Sequence, residues 1–189
     1  MREPPFTRLS ALVEQLAHAI EPHLEKPFAF FGHSLGAMMA FELACRLRRQ
    51  AGVEPVRIFI SARSAPQILR TEAPIYNLPE PELLERLQRL NGTPKEVLDN
   101  FELIHLMLPL LRADFEMAET YTYSAEPPLT CPISVFGGLH DLEVKREHLE
   151  AWREQTTGGF TLRMFEGDHF FIHQSESLLL DSIARELHQ

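Results

Sequence analysis

One serine in the chain has a glycine two positions to either side, in Gly32-His33-Ser34-Leu35-Gly36, a match to G-x-S-x-G. A serine hydroxyl attacks a carbonyl carbon efficiently only when a base takes its proton and donors steady the oxyanion that forms. The setting of Ser34 suits that task. Phe28-Ala29-Phe30-Phe31 is a continuous apolar run just before it, and helical spacing resumes from about Ala37. A strand-to-helix turn at this point holds its serine in a strained backbone conformation, demands small neighbours and lifts the hydroxyl above the sheet. The same turn puts the N–H of Leu35 at a helix N-terminus, where negative charge is favoured.

The base and the acid that orients it are expected in the order serine, acid, histidine, each just past a strand end. Asp141, in Gly137-Gly138-Leu139-His140-Asp141, follows an apolar run that ends at Phe136. His169, in Glu166-Gly167-Asp168-His169-Phe170-Phe171, follows another that ends at Phe165. Loops at the carboxyl ends of parallel strands are where α/β sheets assemble their sites. The rivals are placed less well. Asp168 adjoins His169 in sequence, and adjacent side chains rarely meet in the required geometry. Asp114 falls inside a predicted helix, in an exposed or capping role, and His33 reads as packing or loop structure. His169 and His173 could share a helical face, but no third ligand accompanies them, so no metal is expected. His18, His23, His105, His140, His148 and His188 read as surface or core residues.

The elements that must position these groups follow from hydrophobic spacing. Leu9, Leu12, Val13, Leu16, Ala17 and Ile20 recur at three- and four-residue steps, which predicts an amphipathic helix. The run from Phe28 is too continuous for a half-exposed strand and reads as a buried parallel one. A helix from about Ala37 to Arg49 comes next, closed by Gly52, and Val56 to Ile60 reads as a second buried strand. That β-α-β order predicts a parallel sheet. Between about Ala65 and Glu126 strand patterns vanish, and helices are expected from Pro81 to Leu90, Pro94 to Asn100 and Phe101 to about Tyr121. The last is crowded with Phe101, Leu103, Ile104, Leu106, Met107, Leu108, Leu110 and Leu111. They read either as ordinary core or as the inner face of an insertion, about 66–126, that covers a pocket. Strands resume at Cys131 to Phe136 and Phe160 to Phe165, with a final helix from about Glu176 to His188.

With 189 residues, 44% of them apolar and 24% charged, the chain fits one soluble domain. No run of about 18 apolar residues is present, so no membrane span is expected. Met1-Arg2-Glu3-Pro4-Pro5-Phe6 lacks the apolar core of a signal peptide, and the cytoplasm is the expected compartment. Cys45 and Cys131 lie in apolar segments, as small hydrophobes rather than a disulfide framework. The net charge of −9 argues against non-specific nucleic-acid binding, and an acidic partner would need a local basic patch.

Three stretches together resemble the type II thioesterases of nonribosomal peptide and polyketide assembly lines, which are α/β-hydrolases. They are Phe28-Ala29-Phe30-Phe31-Gly32-His33-Ser34-Leu35-Gly36, Pro109-Leu110-Leu111-Arg112-Ala113-Asp114-Phe115 and Gly167-Asp168-His169-Phe170-Phe171. The resemblance runs from about Glu3 to the C-terminus, as one domain over 1–189. It implies a mainly parallel sheet flanked by helices, with a helical lid over an acyl pocket. It implies Ser34 as nucleophile, His169 as base, Asp141 as the orienting acid and Leu35 as an oxyanion donor. It also implies acyl or peptidyl carrier proteins as partners; their phosphopantetheine arm brings the thioester, and no cofactor resides in the enzyme. A completed fold of this kind is expected to be a monomer.

One departure from the family pattern concerns the start of the sheet. An α/β-hydrolase normally has strands before the nucleophile strand, and a loop after one of them supplies the second oxyanion N–H. Here residues 1–27 precede Phe28 and read as a helix. The expectation is therefore an N-terminally shortened chain whose Phe28 strand lacks one neighbour, with low activity and a tendency to self-associate. The alternatives are a small-molecule carboxylesterase or lipase, and a truncated, poorly active fragment that still binds carriers.

Overall fold

The computed structural model describes residues 4–90 and 92–188. In chain order the elements are α1 (Leu9–Ile20), β1 (Ala29–His33), α2 (Leu35–Ala51), β2 (Arg57–Ser61), α3 (Glu80–Leu90) and α4 (Lys95–Leu98). They continue with α5 (Phe101–Thr120), β3 (Ile133–Gly138), α6 (Arg146–Glu150), β4 (Phe160–Phe165), α7 (Phe171–Gln174) and α8 (Glu176–Leu187). The four strands form one parallel sheet in the order β1-β2-β3-β4. Every step across it is filled by a helical crossover, as the β-α-β reading requires.

Alternation along the strands sends side chains to two buried faces. Ile58, Ile60, Ile133 and Val135 pack on one face with Ala37, Phe41 and Ala44 of α2, Leu149 of α6 and Trp152. Phe59, Phe136 and Phe165 pack on the other with Phe171 of α7 and Leu179 of α8. On this second face Arg57 of β2 pairs with Glu186 of α8 at 3.0 Å, and Ser134 of β3 hydrogen-bonds the same carboxylate. The ion pair ties α8 to the sheet. Both cysteines are buried thiols, and burial pushes each pKa up to about 12.

β1 is less buried than its apolar run alone predicts, in keeping with the expectation that the Phe28 strand lacks one neighbour. It pairs with β2 alone among the described residues, and its Phe31 is 45% exposed. The cause is position: an outer strand has one lateral face open, whatever its own hydrophobicity.

By its contacts the chain divides into two compact units, Met1–Leu12 with Arg70–Thr122, and Val13–Leu69 with Tyr123–Gln189. The sheet belongs to the second. The first holds α3, α4 and α5, which lie in sequence between β2 and β3. Its core joins Ile75, Leu83 and Leu87 to Ile104 and Leu108 of α5. Asn100 caps α5 by accepting the Leu103 N–H at 3.0 Å, and Glu119 accepts the amides of Ile75 and Tyr76. The crowded apolar residues of α5 therefore split by face. Ile104 and Leu108 are core, whereas Phe101, Leu106 and Leu110 are 73%, 60% and 51% exposed. Asp114 is half-buried rather than exposed, and burial raises its carboxyl pKa.

Candidate active site

Ser34 sits between the last residue of β1 and the first of α2, with φ 51° and ψ −114°. A non-glycine residue holds such angles only where its surroundings over-determine them. Two contacts do so here. The Ser34 N–H donates to the Ser61 carbonyl at 2.8 Å, and the Ser34 carbonyl accepts the Ala37 N–H at 3.1 Å. The flanking glycines have different reasons. A Cβ on Gly32 would lie 2.1 Å from the Gly36 carbonyl oxygen, whereas one on Gly36 would meet nothing within 4 Å. The crowding that excludes a side chain is thus between β1 and the first turn of α2, and not against Ser34 as the motif alone suggests.

Asp141 lies in the loop after β3, and His169 in the loop after β4. The two loops are stitched together: the amides of Leu139 and His140 donate to the carbonyls of Phe165 and Gly167 at 2.8 and 2.9 Å. Glycines permit the close approach. A Cβ on Gly138 would stand 2.2 Å from the Asp168 carbonyl oxygen, and Gly167 holds φ +123°, a conformation left to glycine.

The three side chains meet in one line. His169 Nδ1 donates to Asp141 Oδ2 at 2.9 Å, and the Ser34 hydroxyl donates to His169 Nε2 at 3.1 Å. A carboxylate can only accept, so Nδ1 carries the proton and Nε2 presents its lone pair to the serine. Asp141 is otherwise satisfied, because its Oδ1 accepts the amides of Glu143 and Val144 at 2.8 and 3.1 Å. Its side chain is 2% exposed and that of His169 is 12% exposed, so the pair works largely away from water. Asp168 turns elsewhere and accepts the Phe170 amide at 2.8 Å. Leu35 opens α2, so its N–H belongs to the first turn, where amides lack an intrahelical acceptor and the dipole favours an anion.

Two residues of the site carry more than the sequence reading gave them. His33 is not mere packing for the turn: its ring lies 5.3 Å from that of His169, centroid to centroid, and its Nδ1 is 2.9 Å from Ser61 Oγ. Ser61 is not singled out by any motif; its one signal in the sequence is a lone hydroxyl closing the apolar run Ile58-Phe59-Ile60. Among the described residues, no group of three or more His, Cys, Asp or Glu side chains is placed to hold a metal ion.

A hydroxyl bonded to an imidazole that is itself oriented by a buried carboxylate is the arrangement that activates serine for acyl transfer. With the strand-turn-helix setting and the parallel sheet, it defines an α/β-hydrolase. The chain belongs to the thioesterase family, whose domain description, "Thioesterase domain", matches residues 1–189. Its reaction class is thioester hydrolysis. It is 45% identical over 188 residues to linear gramicidin dehydrogenase LgrE of Brevibacillus parabrevis, covering 98% of this chain and 72% of that protein. It is 43% identical over 185 residues to gramicidin S biosynthesis protein GrsT of Aneurinibacillus migulanus, again covering 98% and 72%. Among solved structures it is similar to the type II thioesterase BorB of the borrelidin biosynthetic cluster. That match has a TM-score of 0.87 at 35% identity and covers 99% of this chain and 74% of BorB. No helix among the described residues is long and apolar enough to cross a membrane.

Proposed function

We propose that this chain removes acyl, aminoacyl or peptidyl groups from carrier proteins, with Ser34 as nucleophile, His169 as general base and acid, and Asp141 as the residue that orients it. The observation that carries the reading is the continuous hydrogen-bonded line from Ser34 Oγ through His169 to Asp141. In the first half-reaction Ser34 Oγ attacks the thioester carbonyl carbon while His169 Nε2 takes the hydroxyl proton. The tetrahedral oxyanion is met by the N–H of Leu35 at the start of α2. As the C–S bond breaks, His169 returns the proton to the departing sulfur, leaving the acyl group as an ester on Ser34. Water then attacks that ester, again giving its proton to His169; the acid leaves and Ser34 regains its hydrogen.

The carrier assignment rests on likeness. LgrE and GrsT are named for gramicidin pathways and BorB for the borrelidin cluster, and the resemblance to assembly-line thioesterases implies a phosphopantetheine thioester as the substrate. The test is hydrolysis of an acyl group from a loaded carrier protein, from free acyl-pantetheine and from an oxygen ester of the same acid. A higher kcat/KM on the loaded carrier supports the reading. Faster cleavage of the oxygen ester than of either thioester would identify a carboxylesterase instead.

A further inference from the structure

We infer that His33 is a positioning residue for the base: its imidazole, pinned by Ser61, walls one side of His169 and keeps its Nε2 in line with Ser34. The inference rests on the triad roles proposed above and extends them to two residues outside the triad.

Four observations lead to it. The His33 ring is 5.3 Å from the His169 ring at an interplanar angle of 60°, while Phe170 stands edge-on to His169 at 5.1 Å. The base therefore has an aromatic neighbour in both residues. His33 is in turn fixed by its own contacts, with Phe170 and Phe171 at 5.5 and 6.2 Å and the Ser61 hydroxyl at 2.9 Å from Nδ1. Ser61 is fully buried, and its carbonyl receives the Ser34 N–H, so one residue of β2 holds both the nucleophile's backbone and the wall beside the base. Lastly, His33 Nε2 is buried with no hydrogen-bond partner among the described residues.

That last feature argues against simple packing. Phenylalanine would fill similar space without an unmatched polar atom, and a buried unsatisfied nitrogen in a native site calls for a compensating role. The hydrogen bond to Ser61 supplies one, because it fixes the ring about its own axis where a phenyl group would be held by packing alone. Neutrality is the second requirement. Burial and the neighbouring His169 and His173 lower the His33 pKa to about 4, against the opposing pull of Asp141. His33 therefore adds no positive charge beside His169 when that ring takes the proton.

The experiment compares His33→Asn, His33→Phe and Ser61→Ala with the unaltered chain. Each is assayed for thioester turnover and for the rate at which a fluorophosphonate labels Ser34, with melting temperature as the fold control. His33→Asn keeps a partner for Ser61 but removes the ring, and is expected to lower kcat about ten- to a hundredfold with KM changed less than about twofold. His33→Phe restores the wall without the hydrogen bond and is expected to recover only part of that loss. It should resemble Ser61→Ala, which frees the ring from the other side. The labelling rate should fall in parallel with kcat. Unchanged kcat and labelling in His33→Asn would overturn the role, as would losses in all three variants that track melting temperature or appear equally in KM. Absence of label on Ser34 in the unaltered chain would overturn the nucleophile assignment together with this role. Label there with an indifferent His33→Asn overturns this role alone.

Discussion

The Ser34 hydroxyl reaches His169 Nε2 at 3.1 Å although 135 positions separate the two residues. The sheet makes that distance short. β1 and β4 are parallel members of the same four strands, so the loops after them open at the same end, and Asp141 enters from the loop after β3 between them. Backbone hydrogen bonds hold those loops in place, and Gly32, Gly138 and Gly167 permit the close approaches, since a side chain there would collide or the backbone angle excludes one.

The strain at Ser34 can be separated from its chemistry. Ser34→Ala and Ser34→Gly both remove the hydroxyl, and both are expected to lose acyl-enzyme formation and fluorophosphonate labelling. They should differ in stability. At φ 51° and ψ −114° an alanine keeps the backbone strain and a glycine relieves it, so the glycine variant should be more stable by about 1 kcal/mol or more. Paired urea titrations measure the difference; a glycine variant less stable than the alanine one would mean that the turn is not strained.

Asp141 has two jobs that different substitutions isolate. Asp141→Asn keeps an oxygen for the Glu143 and Val144 amides but removes the carboxylate that fixes the His169 tautomer, and turnover should fall by about 10⁴ with little change in stability. Asp141→Ala also strips the two amides of their acceptor and should cost about 1–3 kcal/mol of stability besides. Asp168→Asn should leave turnover within about tenfold, since its carboxylate serves the Phe170 amide. Steady-state kinetics decides, and a larger loss from Asp168→Asn would move the acid to that position.

Much of this site was legible before the fold. The order of Ser34, Asp141 and His169, each after a strand, predicts their meeting, and the limits of β4 and α1 follow from hydrophobic spacing alone. Spacing is a local property, and what it missed is not local. It could not give Ser61 a hydrogen bond to His33, because that contact depends on the register of β1 against β2. It could not divide the apolar residues of α5 into buried Ile104 and exposed Leu106, because both satisfy the same helical pattern.

Acid sensitivity should trace in part to His33. Its pKa is about 4 in the folded chain against 6.5 for an ordinary histidine, so the unfolded chain takes up a proton that the folded one refuses. A depressed folded pKa means stability that is complete above pH 6.5 and is lost as pH falls toward 4. Between pH 7.5 and pH 5 the loss from this group amounts to about 2 kcal/mol. His33→Phe removes the titrating group, while the carboxylates that also weaken the fold in acid remain. Urea unfolding at both pH values should show a shallower decline in the variant by about that amount. Parallel declines would mean that His33 is protonated as readily in the fold as outside it.

The edge of the sheet makes the remaining prediction. Among the described residues β1 pairs with β2 alone, and its Phe31 adds an apolar side chain that is 45% exposed, with Val56 just before β2 at 52%. An exposed apolar edge pairs readily with another chain, and a lysine placed on it blocks the pairing by charge and solvation. Phe31 is the position to change, because Phe30 packs against the core on the other side of the strand. The 189-residue chain is expected to show concentration-dependent self-association by light scattering, and Phe31→Lys should shift it toward monomer without lowering the melting temperature by more than about 2 °C. Fluorophosphonate labelling of Ser34 in the variant serves as the control for an intact site, since Phe31 lies three residues from it along the chain. A parent chain that stays monomeric at high concentration, or a variant that associates just as strongly, would show that the β1 edge is not the contact.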